Sequence, residues 1–416
     1  MRRSEGSRVT DQPPRLVGAD IICLGYGPWH GLHGFLHHVI DRLSAHNRVL
    51  YVEGAPPWVR ARAPRLIDRT VSVLANLLHG LERVSPNLHV LHPSNPGHIT
   101  CRADALDRHL LVDRVRHHKR RLGFRDPILW CAFPTGAHLA GRLDERLVLY
   151  QCLDDYGCVP GVKRSAVRDL EDDLLAKADL VLAASGHLFR QVMQEHPNAY
   201  YMPVAVDTAP FAAAADGDAP ADVTALPRPV LGYIGSLSAP KVDVELIAAV
   251  ARAHPSWSVC LIGPITPQDR AAFDLLLGGA ANVHFLGRKA YDQVPACYAA
   301  MDAVLLPYRI NEHTRAIFPP QFIEALAAGK PVVITELDAV EHYRLSPTLC
   351  HVARDRAAFL RSARQAVAEK RDPATIALRR NRAERHALDA RIADIESLIL
   401  HTLARHRPAK EEVTRP

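Results

Sequence analysis

Short apolar runs separated by longer amphipathic stretches recur along almost the whole chain, and this alternation constrains the fold more than any other feature. In the first half the runs are DIICLG, RVLYVEG, LHVLHP, PILWCAF, RLVLYQCLDD, ADLVLAAS and YYMPVAVD. Helical patterns such as LHGFLHHVIDRLSAH and VKRSAVRDLEDDLLAKA lie between them. Crossover helices cover both faces of a parallel sheet, so its strands read as unbroken apolar runs followed by amphipathic helices. The pattern stops at 209–228, APFAAAADGDAPADVTALPR, where Ala, Asp and Pro accumulate without period, as in a linker. It restarts with PVLGYIGS, SVCLIGP, NVHFLGR, AVLLPYR, PVVITEL and TLCHVAR. This predicts an α/β protein of two doubly wound, Rossmann-like units, 18–208 and 229–373, facing each other across a cleft. Residues 1–17 read as a disordered leader, and 374–416 as a helix returning to the first unit, followed by a tail.

A chain of 416 residues is too long for a single core, which agrees with two units. The longest apolar runs fall short of a membrane span, and the polar N-terminus MRRSEGSRVTDQPPRL lacks a signal-peptide core. A cytoplasmic protein is expected. Eight cysteines are scattered without a CxxC pair, and Asp216-Gly217-Asp218 falls in the Ala/Pro stretch, so neither a metal nor a cofactor is expected. The formal charge of +6 permits anionic partners. Two basic helical stretches, VRHHKRRLGFR and LRRNRAERHALDAR, read as solvated faces or as a peripheral contact with anionic lipid on the inner membrane face. No aromatic residues interleave with them, which argues against nucleic acid.

The first strand runs into GYGPWHGLHG, close to a dinucleotide-binding G-x-G-x-x-G through Gly25, Gly27 and Gly31, and RVLYVE ends a second strand in Glu53. A nicotinamide-dependent oxidoreductase is therefore a rival reading. His30 stands where the third glycine should be, however, and Pro28 has no N–H for a phosphate. The loop still lets backbone approach a ligand, which makes Gly27, Trp29 and Gly31 acceptor-side candidates and His30 and His33 candidate bases. Tyr26, Trp29 and Trp58 could stack on a sugar or line a lipid-bearing pocket.

In FPPQFIEALAAGKPVVITEL, residues 318–337, Pro319 and Pro320 mark a helix start, Gly329 ends the helix and Pro331 prevents its continuation. The amino end of a helix can seat a phosphate. Glu324, one turn further in, can accept hydrogen bonds from the vicinal hydroxyls of a ribose. Asp154 and Asp155 stand at the carboxyl end of the strand RLVLYQCLDD, where open sheets place their chemistry.

The order YIGSL, then NVHFLGRKAYDQVPACYAAMDAVLLPYRINEHTRAIFPPQFIEALAAGKPVVIT, resembles the nucleotide-sugar domain of GT-B glycosyltransferases. It is similar in particular to the bacterial group-1, family-4-like enzymes of polysaccharide and cell-wall glycan synthesis. In the first half PWHGLHGFLHHVIDRLS, RVLYVEG, LVLYQCLDDY, ADLVLAASGHL and YMPVAVD follow the same family order, so the resemblance covers roughly 18–395. It implies a metal-independent transferase that moves a sugar, as in the hexosyltransferases, from a nucleotide diphosphate sugar. The hydroxyl acceptor would be a glycan, a lipid-linked saccharide or a small molecule. It also implies that Glu324 binds the donor ribose, that Gly235, Ser236 and Lys241 lie by the diphosphate, and that Gly287 and Arg288 lie by the nucleobase. Asn311, Arg315, Pro319 and Gln321 would face the sugar and phosphates, and the acceptor would sit on the first unit, with Asp154 or Asp155 orienting or deprotonating it. The chain departs from the family in four places. Ala316 stands where retaining relatives often carry a second glutamate, Gln321 replaces a lysine, Ser236 replaces an arginine, and Val204-Ala205 replaces Asn-Gly. Retention or inversion is left open, and a nucleotide-sugar epimerase or a silent binding subunit on the same fold stands as an alternative.

Overall fold

The computed structural model describes residues 14–30, 34–54, 80–92, 105–158, 163–343, 346, 348–369 and 372–406. The first lobe is built on strands β1 (Asp20–Leu24), β2 (Arg48–Val52), β3 (Leu81–Arg83), β4 (Leu88–Leu91), β5 (Ile128–Cys131), β6 (Leu147–Cys152), β7 (Leu180–Ala183) and β8 (Ala199–Tyr201). They form one sheet in the order β3-β4-β2-β1-β5-β6-β7-β8, parallel except where β3 pairs antiparallel with β4. The alternation missed β3 because three residues, Leu-Glu-Arg, carry no apolar run. The second lobe contains β9 (Val230–Ile234), β10 (Ser258–Ile262), β11 (Val283–Gly287), β12 (Ala303–Leu306), β13 (Val332–Thr335) and β14 (His351–Ala353), all parallel, in the order β11-β10-β9-β12-β13-β14.

The period of two along each strand sorts the first lobe's side chains into two apolar layers. Ile21, Cys23, Val49 and Tyr51 pack beneath the helix Phe35–Ser44, whereas Ile22, Leu24, Leu50 and Val52 face the helix Ala105–Arg121 on the other side. Each lobe has a strand flanked by two others that were reached by opposite crossovers, β1 between β2 and β5 and β9 between β10 and β12. These switch points open a crevice at the carboxyl ends of the strands.

The stretch expected as a linker is ordered. It forms the helices Thr208–Ala213 and Ala221–Thr224, and Phe211 and Val223, each 1% exposed, enter the core of the second lobe. Two bulky anchors among small residues suffice for docking, although they set no period. The expected leader is also fastened near its end: Leu16 is buried, its N–H donates to Glu396 Oε1 (3.2 Å), and its carbonyl accepts from Asn47 Nδ2 (2.9 Å).

After β14 the helix Pro373–Glu384 stays on the second lobe, with Ile376 against Gly329. The next helix, Leu388–His406, crosses back, and its stripe of Leu388, Ile392, Ile395 and Ile399 completes the layer beneath Phe35–Ser44. The two crossings run side by side. Val206 N–H donates to His386 O and Leu388 N–H to Val206 O, both at 3.0 Å.

Candidate active site

Strands β9 and β10 are each followed directly by a glycine and β11 ends in one, and these three glycines meet at the carboxyl edge of the second sheet. Gly235 N–H donates to Ile262 O and Gly263 N–H to Gly287 O, both at 2.9 Å. Gly235 (φ +151°) and Gly263 (φ +148°) adopt backbone that side-chain-bearing residues rarely take, and a Cβ on Gly263 would lie 1.9 Å from the Gly235 carbonyl oxygen. Of the three, Gly263 had not been singled out from the sequence, although the repeated ending in YIG, LIG and FLG marks it.

Next to this edge begins the helix Pro320–Ala327. Pro319 and Pro320 have no N–H, and Phe322 N–H already donates to Pro319 O (3.1 Å), so the first turn offers fewer donors to a phosphate than a bare helix start would. Gln321 lies against Gly235, its Nε2 2.8 Å from where a Cβ would stand, and its Oε1 accepts from Tyr308 Oη at 3.4 Å. Glu324 points from the same helix into a half-buried position where Tyr298 Oη donates to its Oε2 at 2.9 Å. Burial pushes this carboxyl up to about 7, against the opposing effect of the tyrosine hydrogen bond.

Lys241 follows β9, and its ammonium stands 5.3 Å from the Tyr308 ring centre. Burial lowers its pKa, and the charge of Asp154 acts the other way. Asp154 comes from the opposite lobe, just beyond β6, and its Oδ1 lies 3.6 Å from His313 Nδ1 of the second lobe. Both atoms are buried without a hydrogen-bond partner. Burial raises the Asp154 carboxyl, while His313 and Lys241 hold it down. The two aspartates therefore separate: Asp155 turns back into its own loop, accepting from Gly157 N–H (3.1 Å) and lying 3.1 Å from Cys158 Sγ. His313 was missed because its helix, Glu312–Arg315, is too short to show a period.

The structure thus brings Glu324, Gln321, Gly235, Lys241, Asp154 and His313 to one cleft. Asn311 holds the cleft's edge, accepting from Thr314 N–H and donating to Pro240 O, each at 3.0 Å. Ser236 is exposed, and its carbonyl accepts from Tyr233 Oη at 3.2 Å. Pro319 is buried; Arg288 and Arg315 are exposed on neighbouring loops, and Gly287 turns its loop at φ +67°. Ala316, 0% exposed, packs among apolar residues of the first lobe.

The glycine-rich loop of the first lobe takes another course than expected. Trp29 is 4% exposed, its ring packed on His37 and Tyr51, so it belongs to the core and offers no face to a sugar. His30 is exposed and paired with Glu82 (3.0 Å), outside the Asp154 group. Gly27 O accepts from Tyr51 Oη at 2.9 Å. Burial pushes the hydroxyl of Tyr26 up to about 12. Glu53, the acid a dinucleotide ribose would require, accepts Trp29 N–H at 2.8 Å and lies 2.8 Å from His92 Nδ1, so it is engaged within the protein. Gly31, His33 and Trp58 lie outside the described residues.

The basic stretches fare differently from each other. Arg116, Arg120 and Arg121 are exposed on the helix Ala105–Arg121. The second stretch is divided between two helices, and Arg379, 3% exposed, is buried in an ion pair with Glu369. Among the described residues no group of three side chains could hold a metal ion, seven cysteines are free, and no helix is long and apolar enough to cross a membrane.

Residues 228–369 match the family of glycosyl transferases group 1. The chain is 26% identical over 221 residues to TuaH of Bacillus subtilis (strain 168), a protein whose name assigns it to teichuronic acid biosynthesis as a glycosyltransferase. That match takes in 50% of this chain and 55% of TuaH, so the chain spans about half the length of its curated relative. Among solved structures, sucrose-phosphate synthase from Thermosynechococcus elongatus superposes with a TM-score of 0.70 at 15% identity, over 93% of this chain and 100% of that one. HepE of Anabaena, in complex with UDP and glucose, gives 0.68 at 17% identity over 92% of this chain and 100% of that one. The architecture is the two-lobed GT-B fold.

Proposed function

We propose, from the match of residues 228–369 to the group 1 glycosyl transferases, that this chain moves a sugar from a nucleotide diphosphate sugar to a hydroxyl acceptor. The observation that carries the reading is the meeting of Glu324, Lys241 and Asp154 at the cleft between two switch-point edges. In this reading Glu324 accepts hydrogen bonds from the ribose, and the glycine edge at Gly235 and Gly263 gives the diphosphate room to approach backbone. That TuaH is named a glycosyltransferase and that HepE holds UDP and glucose supports such a donor.

The acceptor hydroxyl would lie on the first lobe beside Asp154, which takes its proton as the new C–O bond forms at the sugar's anomeric carbon. The bond from that carbon to the phosphate oxygen breaks, and its electron pair leaves with the nucleoside diphosphate. Lys241 and Arg315 then meet the developing negative charge without a divalent ion. The acceptor would be a glycan, a lipid-linked saccharide or a small molecule. The exposed arginines of Ala105–Arg121 would bring the protein to an anionic membrane surface from the cytoplasmic side.

Thermal denaturation with UDP-, GDP-, ADP- and TDP-sugars tests the donor, because a ligand of the native state raises Tm by mass action. One base is expected to raise Tm, and a Lys241→Ala, Arg315→Ala double variant is expected to lose turnover about a hundredfold or more. No shift with any of the four, or full turnover in the double variant, overturns the assignment.

A further inference from the structure

We propose that Tyr291 is a specificity-determining residue of the donor site, covering the nucleoside and held in place by His38 of the opposite lobe; this rests on the donor reading above. Tyr291 opens the 3₁₀ turn Tyr291–Gln293, which leads directly into the helix Val294–Ala300. Tyr291 and Tyr298 are seven residues apart on this continuous 3₁₀–α segment. Tyr298 reaches Glu324 with its hydroxyl. Burial pushes the Tyr291 phenol up, and the charges of Glu324 and Asp207 act in the same direction, so both carboxylates lie within electrostatic reach of its hydroxyl.

Two features fix the ring. Lys289, two residues earlier, pairs with Asp222 at 2.5 Å and pins the loop that follows Gly287. From the first lobe, the His38 ring lies 4.9 Å from the Tyr291 ring, centre to centre, tilted by 42°. His38 and Arg42 are one turn apart on Phe35–Ser44, and Arg42 Nη2 donates to Asp207 Oδ2 at 2.9 Å. One helix face of the first lobe thus grips both the loop and the crossing. Tyr291 nevertheless remains 38% exposed, which leaves part of an aromatic ring open on the segment whose Tyr298 holds Glu324, and there it would cover the base of a ribose-bound nucleotide.

The test is calorimetric titration of UDP, GDP, ADP and TDP into the full chain and into Tyr291→Phe, Tyr291→Ala, His38→Ala and the His38→Ala, Tyr291→Ala double variant. Tyr291→Ala and His38→Ala are each expected to weaken the nucleotide that the wild type binds by about three- to tenfold. Tyr291→Phe is expected to bind like the wild type, and the double variant no worse than Tyr291→Ala, since the two residues would act as one unit. A purely structural role would instead lower the Tm of the free protein and add in the double variant. Equal binding in wild type and all variants, or additive losses, overturns the proposal while leaving the donor reading intact. If the wild type binds none of the four nucleotides, the donor reading fails, and this proposal fails with it.

Discussion

Glu324 is held in a state that costs the fold something. Its carboxyl titrates at about 7, above the ordinary value of 4.5, so the native state binds the proton more tightly than the unfolded chain does. The stability tied to that proton is present in full below 4.5 and is lost as pH rises through about 7. Glu324→Gln is therefore expected to leave Tm unchanged near pH 4 and to stabilise the protein at pH 8 by roughly 3 kcal/mol, while abolishing any Tm shift from sugar nucleotides. Denaturation curves at the two pH values measure both effects. Asp154 poses the opposite question, since its part would be chemical. Burial lifts it above the usual carboxylate range and only the ionised form can take a proton, so the rate should climb with pH through its titration. Asp154→Asn is expected to lower kcat at least about a hundredfold with little change in the donor KM, as initial-rate kinetics would show. Glu324 was legible in the sequence because proline, carboxylate and glycine punctuate its helix. His313 and Tyr291 were not, because a four-residue helix and a single 3₁₀ turn give periodicity nothing to act on.

At the scale of elements, the apolar runs identified nearly every strand, since burial on both faces leaves an unbroken hydrophobic signature. They failed where that physics does not apply: at the edge strand Leu81–Arg83, and after Tyr201, where MPVAVD leaves the sheet. The glycine-rich loop was misleading for a related reason. A strand followed by glycines says that backbone passes close to something, and there that something is the hydroxyl of Tyr51 in place of a cofactor. On the second sheet the same signal marks an edge where backbone packs on backbone. Gly263→Ala would force a methyl group into the Gly235 carbonyl at a left-handed φ, with an expected loss on the order of 3 kcal/mol. Urea unfolding would measure it, and Gly279→Ala, at φ +73° with open space around the Cβ, separates conformational strain from the clash.

Across the whole molecule, the lobes meet through specific contacts: Asp154 with His313, His38 with Tyr291, Arg164 with Glu312 at 3.0 Å, and Ala316 within the first lobe's apolar layer. The last of these explains why position 316 does not accommodate a carboxylate. Ala316→Glu would bury a carboxylate among apolar side chains, and separating the lobes relieves that cost. The variant is expected to show a larger radius of gyration by small-angle scattering and no gain in turnover. The two-lobed plan was legible because the alternation breaks once and restarts. The docking of 209–228 was not, because Phe211 and Val223 are too few to announce themselves. The helix Leu388–His406 carries a final implication for synthesis. During translation the second lobe can close its core once the helix Pro373–Glu384 has emerged and supplied Ala383, whereas the layer beneath Phe35–Ser44 waits for Leu388, Ile392, Ile395 and Ile399. The half of the protein that leaves the ribosome first is the half that finishes folding last.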